Sequence, residues 1–295
     1  MNLMLGRATR VLQSRPEARM QLKECYYSFR DATSPWHVVL PLVLLALRRA
    51  PTRDDALPLH LRAHLPPGTA SLLLPLCSQL YWSWLLVFNT ALALREHTLR
   101  VNGSGIRNWW IRHHYLSVAL ILAIMTWPCG SAVWDAFTKR YWLWAAAQGC
   151  VFMLQNQYQR KRTYTRIALG RASSMEVASG EAAATSGQLR ALFPALFAMQ
   201  LIQAHTGVVC LLAGLRGLRA ALSPDGGAAA RARGEVLIAT PLEWQAGVVG
   251  CLLLVQGAGN FIGTWRSIAD KRRAGRREQV AAAKQLVAQA HGHKE

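Results

Sequence analysis

Residues 102–128 read NGSGIRNWWIRHHYLSVALILAIMTWP. Asn102-Gly103-Ser104-Gly105 is a turn by composition. A basic and aromatic segment follows, with Arg107, Trp109, Trp110, Arg112, His113, His114 and Tyr115. Arg and Trp are the side chains that anchor a helix at a membrane–water interface. From Tyr115 the chain turns apolar for about the 20 residues that a bilayer-crossing helix needs. The paired His113-His114 is therefore expected at the mouth of a transmembrane helix.

The rest of the chain repeats that alternation of basic and apolar blocks. Apolar segments fall at roughly Trp36–Leu47, Ala70–Leu94, Tyr115–Trp134, Tyr141–Gln157, Leu192–Leu215 and Trp244–Trp265. The first is short and contains Pro41; the second is long enough to tilt. Of the 34 Lys and Arg, 24 lie in residues 1–35, 95–114, 158–191 and 266–295, on the side of the N-terminus if all six segments span. The remaining 10 lie on the other side. Basic loops stay cytosolic, so both termini are expected in the cytosol. The predicted fold is all-α: six transmembrane helices preceded by a short N-terminal helix. The organisation divides into a cytosolic segment at 1–35, a membrane domain at 36–268 and a basic cytosolic tail at 269–295.

Composition excludes several classes. The net charge of +19 accompanies 52% hydrophobic residues. Its segregation into loops fits a membrane better than nucleic acid, and no nucleic-acid-binding motif is present. The six cysteines form no C-x-x-C pair and five lie in or beside apolar segments, so neither a disulfide framework nor a zinc site is expected. Residues 1–30 lack the apolar core of a cleavable signal peptide. The Asn102 sequon faces the cytosol in this topology and is discarded as a glycosylation site. Ser173–Gln188 and Ser223–Gly234 read as loops. The tail is expected to be solvated, with a helical pattern in AAAKQLVAQA.

Polar groups inside a membrane are costly and face cavities or one another. Gln148, Gln155 and Gln159 share a face of the fourth apolar helix, Gln200 and Gln203 a face of the fifth, and Gln256 and Asn260 a face of the sixth. Three amide stripes predict a polar chamber; interhelical hydrogen bonding is the competing account of each. His113 and His114 diverge by about 100° on a helix and cannot chelate one metal as an i, i+4 pair does. No metal is expected. Trp110 can share a face with either imidazole, and the three could hold an anionic or thiol-bearing ligand tail.

The block NGSGIRNWWIRHHY and the following MTWP resemble the transmembrane protein 120 family, also called TACAN or TMPIT-like. The likeness continues through Leu94-Arg95-Glu96, QNQYQ at 155–159, ALGRASSMEV at 168–177, Glu243-Trp244-Gln245 and Gly259-Asn260-Phe261. The resemblance implies an elongase-like six-helix bundle, similar to very-long-chain fatty acid elongases. It also implies a homodimer binding coenzyme A in a cytosol-facing chamber, in the endoplasmic reticulum or inner nuclear membrane. Carried over by position, the ligand contacts would be Trp110, His113, His114, Gln155 and Lys271. His113 and His114 are the candidate bases if binding leads to acyl-CoA or lipid metabolism.

Two departures bear on that reading. The family's long N-terminal coiled coil looks truncated here, with about thirty residues before the first apolar segment. Elongases carry H-x-x-H-H, and Trp110 stands at the first histidine. An indole is neither base nor nucleophile, which argues against elongase chemistry. The alternatives are a mechanosensitive ion channel and a non-catalytic structural protein of the endoplasmic reticulum or nuclear envelope. For the channel, no ring-forming Asp or Glu is apparent within a span. For the structural protein, basic residues would meet anionic lipids.

Overall fold

The computed structural model describes residues 16–49, 69–170, 173–177, 187–222, 238–240 and 243–292. The proposed loop Ser223–Gly234 and most of the 173–188 loop lie outside the described residues. The helices are α1 (Pro16–Thr33), α2 (Trp36–Arg49), α3 (Thr69–Val101), α4 (Asn108–Met125), α5 (Ala132–Ala168), α6 (Gly187–Leu222) and α7 (Trp244–Gly292). There is no strand among the described residues. A helix covers each apolar segment, but the third is displaced: α4 begins at Asn108 and ends at Met125, before Trp127-Pro128. His113 thus lies inside the helix rather than at its first turn. The α7 helix runs unbroken across the 268/269 boundary.

Among the described residues, three stretches, Leu72–Val101, Leu192–Leu222 and Trp244–Arg266, are long and apolar enough to cross a membrane. Their outward faces suit lipid. Leu76, Leu80, Val87 and Leu94 fall on one side of α3, and all are exposed.

Helices α2 to α7 close into a ring. The principal neighbours run α2–α5–α6–α7–α4–α3 and back to α2. Small residues set the tightest seam, between α6 and α7. A Cβ on Gly214 would lie 2.6 Å from the Gly247 amide nitrogen, and Gly250 is pressed against the backbone of Gly207 and Leu211. Helices gain little from apolar burial in lipid, so close backbone contact of this kind drives their association. Gln203 donates to Gln256 across the seam at 3.0 Å, and Gln200 donates to Thr264 at 3.0 Å. The polar stripe of α6 thus serves as interhelical hydrogen bonding.

The turns are explicit in the sequence. At the end of α3, Ser104 N–H reaches Leu99 O and Gly103 N–H reaches Arg100 O, with Gly103 at φ +94°. That is a Schellman cap, which requires a residue tolerating positive φ. At the start of α5 the Ser131 hydroxyl accepts from the Trp134 amide at 3.0 Å. Ser131 also donates to Glu243, whose Oε1 accepts from Trp127 Nε1 at 3.1 Å and whose Oε2 accepts from the Thr240 amide at 2.8 Å. Trp127 is buried and stacks on Phe137 with centroids 5.2 Å apart. The MTWP segment is therefore a clasp between the α4–α5 turn and the start of α7.

Helix α1 packs outside the ring on α3 and α5, burying Tyr26 and Tyr27 with Phe88, Leu92, Leu99, Ile106, Ile111, Met175 and Val177. Lys23 is fully buried and donates to Ser174 O at 2.7 Å, while Tyr27 donates to Val177 O at 3.1 Å. Arg30 donates to Asn156 on α5. Burial depresses the Lys23 ammonium below its ordinary range, against the opposing pull of Glu24 and Glu176. Burial pushes the Tyr26 and Tyr27 phenols upward, keeping both as neutral donors.

Candidate functional site

The ring encloses a cavity of about 170 Å³. That is room for roughly a dozen waters, or for a slender organic arm of similar bulk. Five helices line it: His37 from α2, the Tyr81–Leu92 face of α3, the His113–Ile121 face of α4, the Tyr141–Phe152 face of α5, and Gln256 from α7. The lining divides chemically into an aromatic and aliphatic majority and a polar minority of His37, Asn89, His113, His114, Ser117, Gln148 and Gln256. Such a balance is usual for a small-molecule site.

Close backbone contact brings α2 to the wall. A Cβ on Gly149 would meet His37 O at 2.7 Å, so α5 must be bare at that point. His37 then packs among Trp84, Phe88 and Phe152, at 4.3 Å from the Phe88 centroid, and its Nε2 is buried with no partner. Gln256 is held by donation to Ser117 Oγ and to His113 O. The other amide of its stripe, Asn260, accepts from Trp109 Nε1 at 3.1 Å, tying α4 to α7. The bare backbone of Gly259 leaves the space that the Trp109 ring fills.

The sequence-predicted residues separate on this geometry. His113 and His114 both line the cavity, their ring centroids 5.5 Å apart. Trp110 stands one turn away, edge-on to His113 at 6.0 Å, and packs against the cluster beneath α1 rather than lining the cavity. Gln155 is part-buried on α5 and also off the lining; Gln148, two turns earlier, is the stripe member that reaches it. Lys271 lies on the α7 helix, and its side chain is outside the described ones.

Sequence reading missed the partners of His114. Its Nδ1 faces Asn89 Oδ1 at 3.3 Å and its Nε2 faces Glu96 Oε2 at 3.5 Å. Glu96 Oε1 accepts from Tyr26 at 2.9 Å, and Tyr26 in turn accepts from Arg30 at 3.0 Å. The chain Arg30–Tyr26–Glu96–His114–Asn89 thus connects α1 to the cavity. A signal was present: Asn89 and Glu96 are seven apart on an apolar helix, so they share a face.

A model of the TMEM120A/B family matches residues 1–220. The transmembrane protein 120 homolog of Dictyostelium discoideum is 30% identical over 176 residues, which are 59% of this chain and 40% of that protein. Transmembrane protein 120B of Homo sapiens is 36% identical over 97 residues, 32% of this chain and 28% of its own length. Transmembrane protein 120B of Danio rerio matches to the same extent. The chain thus spans less than half the length of these curated relatives. With the family model covering most of the sequence, and with apolar helices of membrane-crossing length, this chain is a membrane protein that belongs to the TMEM120A/B family.

Proposed function

We propose that the chain is a six-span membrane protein that binds coenzyme A in its central cavity. The observation that carries this reading is the cavity lining itself: two adjacent imidazoles with Asn89, Gln148 and Gln256 in an otherwise apolar wall. Coenzyme A has a slender pantetheine arm with two amides and a terminal thiol. Side-chain amides both donate and accept and can match those amide groups. The apolar majority suits the arm's methylenes or an acyl chain. The cavity's volume suits the arm alone, so the nucleotide end would emerge toward the basic stretch that includes Arg266 and Lys271. Lys is a point-charge phosphate binder.

In this reading Trp110 and Gln155 act from behind or beside the wall, Trp110 by buttressing His113. The imidazoles are the candidate acid–base groups should an acyl-CoA or lipid reaction follow binding. Elongase chemistry is disfavoured because Trp110 occupies the position of the first histidine. Both termini lie in the cytosol, and the protein resides as a homodimer in the endoplasmic reticulum or inner nuclear membrane.

Mass spectrometry of the protein after gentle extraction tests the proposal. Coenzyme A should co-purify with the unaltered chain and be depleted in His113→Ala and Trp110→Ala. Absence of the ligand, together with no binding of added coenzyme A, overturns it. Stretch-activated currents from the reconstituted protein, abolished by changes at Gln256, would favour the channel instead.

A further inference from the structure

The exposed side of α7 keeps one register from end to end. Val248, Val255 and Ile262 are exposed within the span, and Arg266, Arg273, Arg277 and Lys284 are exposed beyond it. From Val248 to Lys284 is 36 residues, ten turns of an α-helix, and the others fall between them at intervals of 4 or 7. The apolar strip and the basic stripe are therefore one face, and the exposed Arg276 flanks it. The other side of the span carries Val249, Leu253, Gln256 and Thr264, all buried against the ring. By period, the position of Lys271 falls on the side of Asn260 and Thr264. The stripe is thus separate from the position proposed above for phosphate contact.

Two exposed tryptophans mark where the bilayer meets this helix. Trp244 and Trp265 stand 21 residues apart, about 31 Å along the axis. A hydrocarbon core is about 30 Å thick, and tryptophan gathers at its two boundaries. Arg266 then enters the headgroup layer. Arg273 lies about 11 Å farther along the axis, and Arg276 and Arg277 about 15–17 Å. Headgroups add about 5–8 Å beyond the hydrocarbon, and the field of an anionic leaflet reaches about another 8 Å at physiological salt. Arg273 falls within that reach, with Arg276 and Arg277 at its edge. Residues 266–277 hold six Lys and Arg against one acid, Asp270.

We propose that this juxtamembrane face of α7, centred on Arg273, Arg276 and Arg277, docks the anionic lipid headgroups of the leaflet from which the helix emerges. Charge complementarity selects the occupant, because a basic cluster next to a spanning helix attracts anionic lipid. Arginine forks also match the phosphate oxygens of a headgroup. The register adds what composition lacks. A tail that was merely solvated would have no reason to carry these arginines on the face that meets lipid within the span. A second copy packed symmetrically on this face would set like charges against each other. The surface is independent of what the cavity holds.

Lipid retention by the full chain tests this. The protein is reconstituted in nanodiscs of equal phosphatidylserine and phosphatidylcholine with matched acyl chains, without coenzyme A. It is then released into detergent, and the lipids still bound are counted by native mass spectrometry. The unaltered chain should retain phosphatidylserine in preference to phosphatidylcholine, and less so when the release is carried out at high salt. The triple variant Arg273→Gln, Arg276→Gln, Arg277→Gln should lose at least about fivefold of that preference, the effect of one basic residue close to a bilayer surface. The triple variant with Lys at the same positions keeps the charge and should keep the preference. Equal retention of the two lipids by the unaltered chain overturns the inference. So does a Gln variant with the full preference, or a preference that ignores salt. Coenzyme A binding is measured separately in phosphatidylcholine alone, and its absence there would overturn the proposed function while leaving the lipid surface standing.

Discussion

Glu243→Gln is the substitution for which the structure supplies the fullest arithmetic. The Glu243 carboxylate accepts from Trp127 Nε1 and the Ser131 hydroxyl at one oxygen, and from the Thr240 amide at the other. Hydrogen bonds to a charged acceptor contribute about 1.5–3 kcal/mol each, and neutral ones about 0.5–1.5 kcal/mol. Gln weakens the bonds it keeps. It also places an amide N–H₂ against a donor at one of the two oxygen positions, orphaning that donor at about 1–3 kcal/mol. Some of this is recovered by rearrangement at the edge of the fold, so the net loss is about 2–4 kcal/mol. For a chain of this size that lowers the unfolding midpoint by about 5–10 °C.

The pH dependence has a definite sign. Burial alone would raise the Glu243 carboxyl, but the bonds from Ser131, Thr240 and Trp127 together outweigh it and hold the carboxyl below its ordinary value. A depressed carboxyl stabilises the fold above its unfolded value of about 4.3, and that stabilisation is lost as pH falls through the lower folded value. Thermal unfolding of the detergent-solubilised protein, followed by tryptophan fluorescence, should show the full gap between Glu243→Gln and the unaltered chain at pH 7. The gap should narrow below about pH 4. Equal midpoints at pH 7, or a gap that ignores pH, would refute the clasp as described.

Two more outcomes follow from the packing. Gly214→Val should push α6 from α7, because the new Cβ would lie 2.6 Å from the Gly247 nitrogen; overpacking of this kind costs about 1–3 kcal/mol and should appear as a lower midpoint and faster proteolysis. Lys23→Met should flatten the alkaline limb of the stability curve. The folded Lys23 is depressed by burial, so the unfolded chain binds the extra proton and stability rises with pH until the unfolded lysine deprotonates near 10.4. Midpoints measured from pH 7 to 10 should rise for the unaltered chain and rise less for the variant.

The identity of the helices was open to sequence reading because it rests on local properties. Apolar runs of membrane length, basic residues between them and the Asn102–Gly105 turn each depend on neighbours in the chain. So did the placement of His113 and His114 on a helix. Interhelical pairing depends instead on rotation and depth of one helix against another, which no local pattern encodes. The Gln stripes show the consequence. Periodicity put Gln200 and Gln203 on one face of α6, but only the glycine seam with α7 turned that face toward Thr264 and Gln256 rather than toward the cavity. The same reasoning left Gln148 and Gln155 equivalent, and the ring placed only Gln148 on the wall.

What the sequence determined by itself was therefore the all-helical, membrane-embedded character of the chain, its charge segregation and the presence of a histidine pair in a helix. What the tertiary structure decided was the company those histidines keep. Glu96 and Asn89 reach His114 across the α3–α4 contact, and His37 reaches the same cavity from α2 past the bare backbone of Gly149. Polar contacts act over a few ångströms, and the groups that face His114 across that gap lie 18 to 25 residues away in the chain.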